Sequence, residues 1–242
     1  MNWRTFLHQR DRQPEVMDQS GLDPVDHSNA LIGLRRINKL SGCSSGLFDL
    51  IRRIATEGSN SPLRILEIAC GSGDTAIDLS KMAKREGFIF DIHACDISNQ
   101  AISIARINAI NNCVDINFYV ADALSINNSD QIYDVIYCTL FTHHLDSCDV
   151  VKLLTIMALR SRNLVIIDDL IRSRYGYILA WLGTRLLSRS WVVHTDGPLS
   201  VRSAFKLKEF RDLVEEAGLH GCVLRRYWPE RFVMSWSRKD HA

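Results

Sequence analysis

Long apolar runs, paired cysteines and an excess of either charge are what this chain of 242 residues lacks. Lysine and arginine number 29 against 28 aspartates and glutamates, a formal charge of +1 with a pI near 7.7. No chain-wide basic surface is therefore available to neutralise phosphates, and nucleic acid is not an expected partner. The seven cysteines, at positions 43, 70, 95, 113, 138, 148 and 222, are odd in number and form no CxxC pair. This favours reduced thiols over a disulfide frame or a zinc knuckle. No apolar stretch is long enough to span a bilayer, and the start, MNWRTFLHQRDRQPEVMDQSGLD, lacks the apolar core of a signal peptide. A cytoplasmic protein is expected. Internal repeats and low-complexity tracts are absent as well.

What is present is 46% hydrophobic residues, enough to bury the core of one α/β domain with an added segment. Pro14, Gly21 and Pro24 break a polar start, after which Leu31, Leu34, Ile37 and Leu40 recur at helical spacing up to a Gly42 stop. A second helix is expected from about Ser45 to Glu57, so that residues 1–60 read as a helical cap and 61–242 as the main domain. From Leu63 the pattern alternates, with strands at 63–69, 88–96, 115–122, 133–140 and 163–169 and helices at 74–87, 98–112 and about 146–159. Alternating elements whose strands are apolar nearly throughout imply a parallel sheet covered on both faces. A helical, aromatic-rich stretch at about 170–205 and a helix at 206–218 follow. Two strand-like runs, 221–229 and 231–239, then lie too close for a crossover and must form an antiparallel hairpin. The expected fold is α/β, a seven-stranded, mostly parallel sheet with its last strand reversed.

The segment ILEIACGSGDTAIDL, from Ile65 to Leu79, joins a strand, an acid, a glycine turn and a helix start. Such turns bring backbone close to a ligand, because glycine has no Cβ to hold it off. Gly71-x-Gly73-x-x-Ala76 satisfies the loose dinucleotide fingerprint, with Asp96 about twenty residues on where an acid would bind a ribose. An NAD-dependent dehydrogenase is one reading. Glu67 argues against it, since an acid at the strand's end is unwelcome beside a pyrophosphate and suits a ligand that carries positive charge.

Four motifs in order weigh against the dehydrogenase: EIACGSG, ACDIS, VADAL and YDVIYCTLFTHHL. In them the chain resembles the class I S-adenosylmethionine-dependent methyltransferases, whose Rossmann-like sheet also ends in a reversed strand. The resemblance implies S-adenosylmethionine as cofactor, held by the first motif through Glu67, Ala69, Cys70, Gly71 and Gly73. It further implies Asp96 on the ribose hydroxyls, Ile97 on the adenine, Asp122 and Ala123 at the adenine amino edge, and Thr139 and Leu140 beside the methionine end. Ala69 stands where the family usually has glycine.

A sulfonium gives its methyl group to an in-line nucleophile, and a hydroxyl acceptor must shed its proton. His143 and His144 follow the fourth strand and are candidate bases, although such a pair also recurs in this family as a structural feature. His194, two residues before Asp196, reads equally as an oriented base or as part of a turn at Gly197 and Pro198. Asp168 and Asp169 end the fifth strand and invite comparison with the metal-dependent catechol methyltransferases, but where those have a further acid after the fourth strand this chain has TLFTHHL, so by that resemblance no metal site is expected and Asp168 reads as an acid at the pocket rim. The segment at about 170–205 reads as a roof, with Tyr175, Ile178, Leu179, Leu182, Leu186 and Leu187 on one stripe and Arg172, Arg174, Arg185 and Arg189 around it. The stripe either packs on the sheet or closes over an apolar acceptor touched by Asp168, Tyr175 and Trp181, with a basic face suited to anionic membrane. The layout is similar to bacterial small-molecule methyltransferases found with polyketide synthases and to quinone methyltransferases. It implies a phenolic or quinol-like acceptor methylated on oxygen, with a ring carbon as the alternative. A methyltransferase-like fold kept as a non-catalytic binding subunit is the remaining reading.

Overall fold

The computed structural model describes residues 7–19, 21–57, 62–126 and 131–238. Lys239, most of the turn expected at 58–62 and the middle of the polar loop at 125–131 lie outside them. Helices α1 (Pro24–Ser41) and α2 (Cys43–Glu57) open the fold, followed by β1 (Leu63–Ile68), α3 (Asp74–Glu86), β2 (Phe90–Asp96), α4 (Asn99–Asn111) and β3 (Asn117–Val120). Then come β4 (Tyr133–Thr139), α5 (Ser147–Arg160), β5 (Ser161–Leu170), α6 (Arg174–Leu187), α7 (Trp191–Ser203), α8 (Leu207–Glu216), β6 (Val223–Tyr227) and β7 (Arg231–Ser237). The strands form one sheet in the order β3-β2-β1-β4-β5-β7-β6, parallel except for β7, which runs antiparallel to both neighbours.

Period-two alternation along the strands divides the core. Leu66, Ile68, Ile136, Cys138, Val165 and Ile167 face α5 and α8, where they meet Leu153, Met157 and Phe210. Ile65, Val135, Tyr137 and Ile166 face the other side, where α2, α3 and α4 supply Leu47, Phe48, Ile51, Ile77 and Ile102. Glu67 shares the parity of Ile65 and so points beneath α3, buried to 1% exposure. The chain order reverses between β1's neighbours β2 and β4, and the crevice at the carboxyl ends of such strands is where ligands bind in open α/β sheets.

Most elements fall where expected, and the shifts have local causes. α1 starts at Pro24 because the Asp23 carboxylate accepts from the amides of Val25 and Asp26 and proline fits the first helical position. Gly42, at φ 67°, divides α1 from α2, which begins at once at Cys43. α7 runs unbroken through Gly197 and Pro198, so the turn entertained there is not formed. A Cβ on Gly197 would stand 2.5 Å from the Thr184 methyl, so glycine is needed for α7 to lie close on α6. α1 packs on α6 and α7, so these three helices form one layer around Ala30, Val192 and Val193, while α2 lies on the sheet.

Candidate cofactor and acceptor site

The loop after β1 turns through left-handed backbone at Ala69 (φ 55°), Gly71 (φ 52°) and Gly73 (φ 75°). Gly73 is obligatory, because a Cβ there would meet the Phe118 ring at 2.8 Å; at Gly71 nothing stands within 4 Å. Ala69 holds the same backbone without glycine's freedom, at a cost of about 1–2 kcal/mol. Asp96 ties this loop to the next, one carboxylate oxygen accepting from the Gly71 amide at 2.9 Å and the other from the Ser98 amide at 2.9 Å. Beside it Ile97 is 71% exposed, an apolar side chain left open at the groove. On the third loop Asp122 accepts from the Leu124 amide and the Ser125 hydroxyl, and Ala123 is buried. Thr139 and Leu140, together with Arg35, Asn38, Cys43, Ser44, Asp74 and Thr75, line a cavity of about 150 Å³. The structure thus gathers Ala69 to Gly73, Asp96, Ile97, Asp122, Thr139 and Leu140 along the carboxyl ends of β1 to β4.

Glu67 lies buried behind the loop. Its Oε2 accepts from the Ala76 amide at 3.1 Å, meeting a first-turn donor of α3. Burial pushes its pKa up to about 8, against the pull of the Tyr137 hydroxyl and that amide.

Sequence reasoning missed the floor of the site. Asp168 is 2% exposed and fully engaged: Arg231 donates to Oδ1 through Nε at 2.9 Å and Nη2 at 2.7 Å, while the Tyr227 hydroxyl and the Cys43 thiol donate to Oδ2. It is the anchor of a buried ion pair and not an open acid at the rim. Burial, then the Asp168 charge, pushes the Cys43 thiol up. No local signal in the sequence joins residues this far apart.

His143 and His144 sit in a short turn after β4, with ring centroids 4.2 Å apart, but in opposite electrostatic states. His143 Nδ1 donates to Asp169 at 2.7 Å and its Nε2 lies 3.7 Å from Glu15. Burial alone would depress its pKa, but the carboxylates of Asp169 and Glu15 hold it up at about 10. Asp169, which also accepts from the Thr142 hydroxyl, is held well below the usual carboxylate range despite its burial, chiefly by the His143 cation. His144 is pushed down to about 4 by burial and by that same cation. A folded-state pKa above the usual 6.5 means that His143 stabilises the fold fully below about pH 6.5 and loses this as pH rises through about 10. The unfolding free energy is accordingly expected to fall more steeply between about pH 7 and about pH 9.5 in the native chain than in His143→Gln. Urea titrations at the two pH values check this; parallel slopes would contradict it.

His194 and Asp196 do not act on one another. His194 Nε2 donates to the Ser188 carbonyl at 2.9 Å, and the Asp196 carboxylate accepts from the amides of Val16 at 2.8 Å and Met17 at 3.0 Å. The amino-terminal segment is thereby strapped over α7 and the histidine turn, where Arg10 donates to the His143 carbonyl and Arg12 to that of His144. The roof stripe neither packs on the sheet nor closes inward: Tyr175 is 73% and Trp181 44% exposed on α6.

Residues 65–160 match the family model described as a methyltransferase domain. The chain therefore carries a methyltransferase domain over these residues, set in a seven-stranded sheet with one reversed strand. It is similar to the ubiquinone biosynthesis O-methyltransferase of Rickettsia felis, 26% identical over 147 residues that cover 60% of this chain and 55% of that one. The corresponding protein of Rickettsia conorii is 29% identical over 119 residues, 49% of this chain and 39% of the relative. The match spans about half the length of these relatives or less. Among solved structures, the plantazolicin methyltransferase in complex with SAH superposes with a TM-score of 0.65 at 18% identity, covering 89% of this chain and 90% of that one. Magnesium protoporphyrin IX methyltransferase from Synechocystis PCC 6803 with bound SAH gives 0.58 at 13% identity, covering 92% and 91%. At such identities the likeness is one of fold.

Proposed function

We propose that the chain transfers a methyl group from S-adenosylmethionine to a small apolar acceptor, phenolic or quinol-like, at oxygen. The observation that carries this reading is the row formed by Asp96, exposed Ile97 and Asp122 on consecutive loops around an open Gly71. When bound, S-adenosylmethionine supplies an electrophilic methyl group. A carboxylate has about four acceptor sites, and Asp96 spends two on the amides of Gly71 and Ser98, so two are left for a pair of ribose hydroxyls. Ile97 offers the adenine an apolar surface, Asp122 and Ala123 address its amino edge, and Thr139, Leu140 and Arg35 surround the methionine end.

Of the two histidines, His144 is the base. His143 already carries its proton at neutral pH and lies between two carboxylates, whereas His144 is neutral; with its pKa at about 4 it is a weak base, which takes the acceptor's proton only as the new methyl bond forms. The ubiquinone O-methyltransferase relatives favour oxygen. A ring carbon is the second reading, favoured by the 29% identity over 105 residues to demethylmenaquinone methyltransferase of Deinococcus radiodurans. Loss of a general base costs about 100- to 10,000-fold in rate. His144→Ala is expected to lose that much transfer of labelled methyl to a panel of lipophilic phenols and quinols. Full activity in that variant removes the base assignment. Transfer by the native chain to RNA or protein, with none to any phenol, removes the acceptor class.

A further inference from the structure

Helix α6 presents its apolar stripe outward. Tyr175, Ile178, Leu182 and Leu186 are 73%, 51%, 43% and 81% exposed, with Trp181 beside them at 44%. These positions recur at helical spacing on one face, while the opposite face buries Gly176 and Thr184, the latter against α7. The orientation is held at the helix's start as well, where Ser173 caps the Gly176 amide and donates to Glu230 at 2.6 Å. That contact brings the β6–β7 turn alongside, and its Trp228 is 71% exposed. The charges of the segment itself are of one sign, and Glu230 beside it is paired with Arg226. Between Asp169 and Asp196 the chain has four arginines and no acid. Arg172 is buried against Glu209, and Arg174, Arg185 and Arg189 are exposed. Arg185 lies over the Trp181 ring at 4.2 Å, so its charge sits at the edge of the apolar face.

From this face we infer that α6 docks the protein on an anionic lipid surface. An amphipathic helix with aromatic and leucine side chains on one face and arginines at its rim lies in the plane of a bilayer, apolar face down. Tryptophan and tyrosine favour the headgroup level. α6 has 14 residues, and among the described residues no helix is long and apolar enough to cross a membrane, so the contact is peripheral. A second copy of the chain is the poorer occupant. A two-fold contact through α6 would set one arginine rim against another, and like charges brought together oppose association. The inference does not rest on the acceptor proposed above.

Flotation with vesicles of phosphatidylcholine, and of phosphatidylcholine with about 30% phosphatidylglycerol, tests it without cofactor or acceptor. Binding is expected to the second vesicles and to weaken with salt. Each arginine near an anionic surface is worth a factor of about five, so the triple variant R174Q/R185Q/R189Q should bind roughly 100-fold more weakly. Leu182→Ser with Leu186→Ser should also lose at least about 10-fold, through lost apolar contact. Circular dichroism melts show whether these surface variants keep the fold. Absence of binding to phosphatidylglycerol vesicles, or unchanged binding by the folded arginine variant, overturns the inference. So does self-association that the leucine variant abolishes in a chain that binds no vesicle.

Discussion

Asp96→Ala is expected to weaken cofactor binding by roughly 100- to 10,000-fold while the chain stays folded. Two charge-assisted hydrogen bonds to ribose hydroxyls, at about 1.5–3 kcal/mol each, set this range. The variant also frees the amides of Gly71 and Ser98, which loosens the loop that approaches the ligand. Asp96→Asn keeps an acceptor but loses the charge and should fall between the two. Titration of each folded variant with S-adenosylhomocysteine measures the effect. Native affinity in Asp96→Ala would mean that another group holds the ribose.

The second large effect concerns the floor of the site and needs no ligand. Arg231 and Asp168 are each 2% exposed and joined at 2.7 Å. Removing one partner of a buried pair leaves a charge without its counterion, at about 3–5 kcal/mol. Arg231→Met is therefore expected to lower Tm by about 6–20 °C, since 1 kcal/mol moves a domain of this size by about 2–4 °C. Adding Asp168→Leu should recover part of the loss, because the stranded carboxylate is gone. The recovery is incomplete, since the Tyr227 hydroxyl and the Cys43 thiol also donate to Asp168. Urea unfolding of both variants checks this; a cost below about 1 kcal/mol for Arg231→Met would contradict the role given to the pair.

Local signals carried the sheet and the candidate cofactor loops. Gly73 must be glycine because Phe118 leaves no room for a Cβ, and the spacing of the final strands leaves a hairpin as the only connection. What sequence pattern could not decide was which side an element turns. The stripe on α6 has helical period, but period alone does not say whether it is buried; contact between Gly197 and Thr184 draws the opposite face inward. Glu67 reads in sequence as an acid at a strand's end, and only its parity with Ile65 shows that it lies under α3, bonded to Ala76. His143 and His144 are adjacent in sequence, and what separates them is Glu15 and Asp169, neither within twenty residues. The same distance hid the strap, since Asp196 follows a histidine closely but meets its partners at Val16 and Met17.

The most direct test of the whole account is calorimetric titration of the native chain with S-adenosylhomocysteine and, separately, with NAD. Saturable heat with S-adenosylhomocysteine, lost in Asp96→Ala, and none with NAD is the predicted result. Saturable heat with NAD and none with S-adenosylhomocysteine would contradict it.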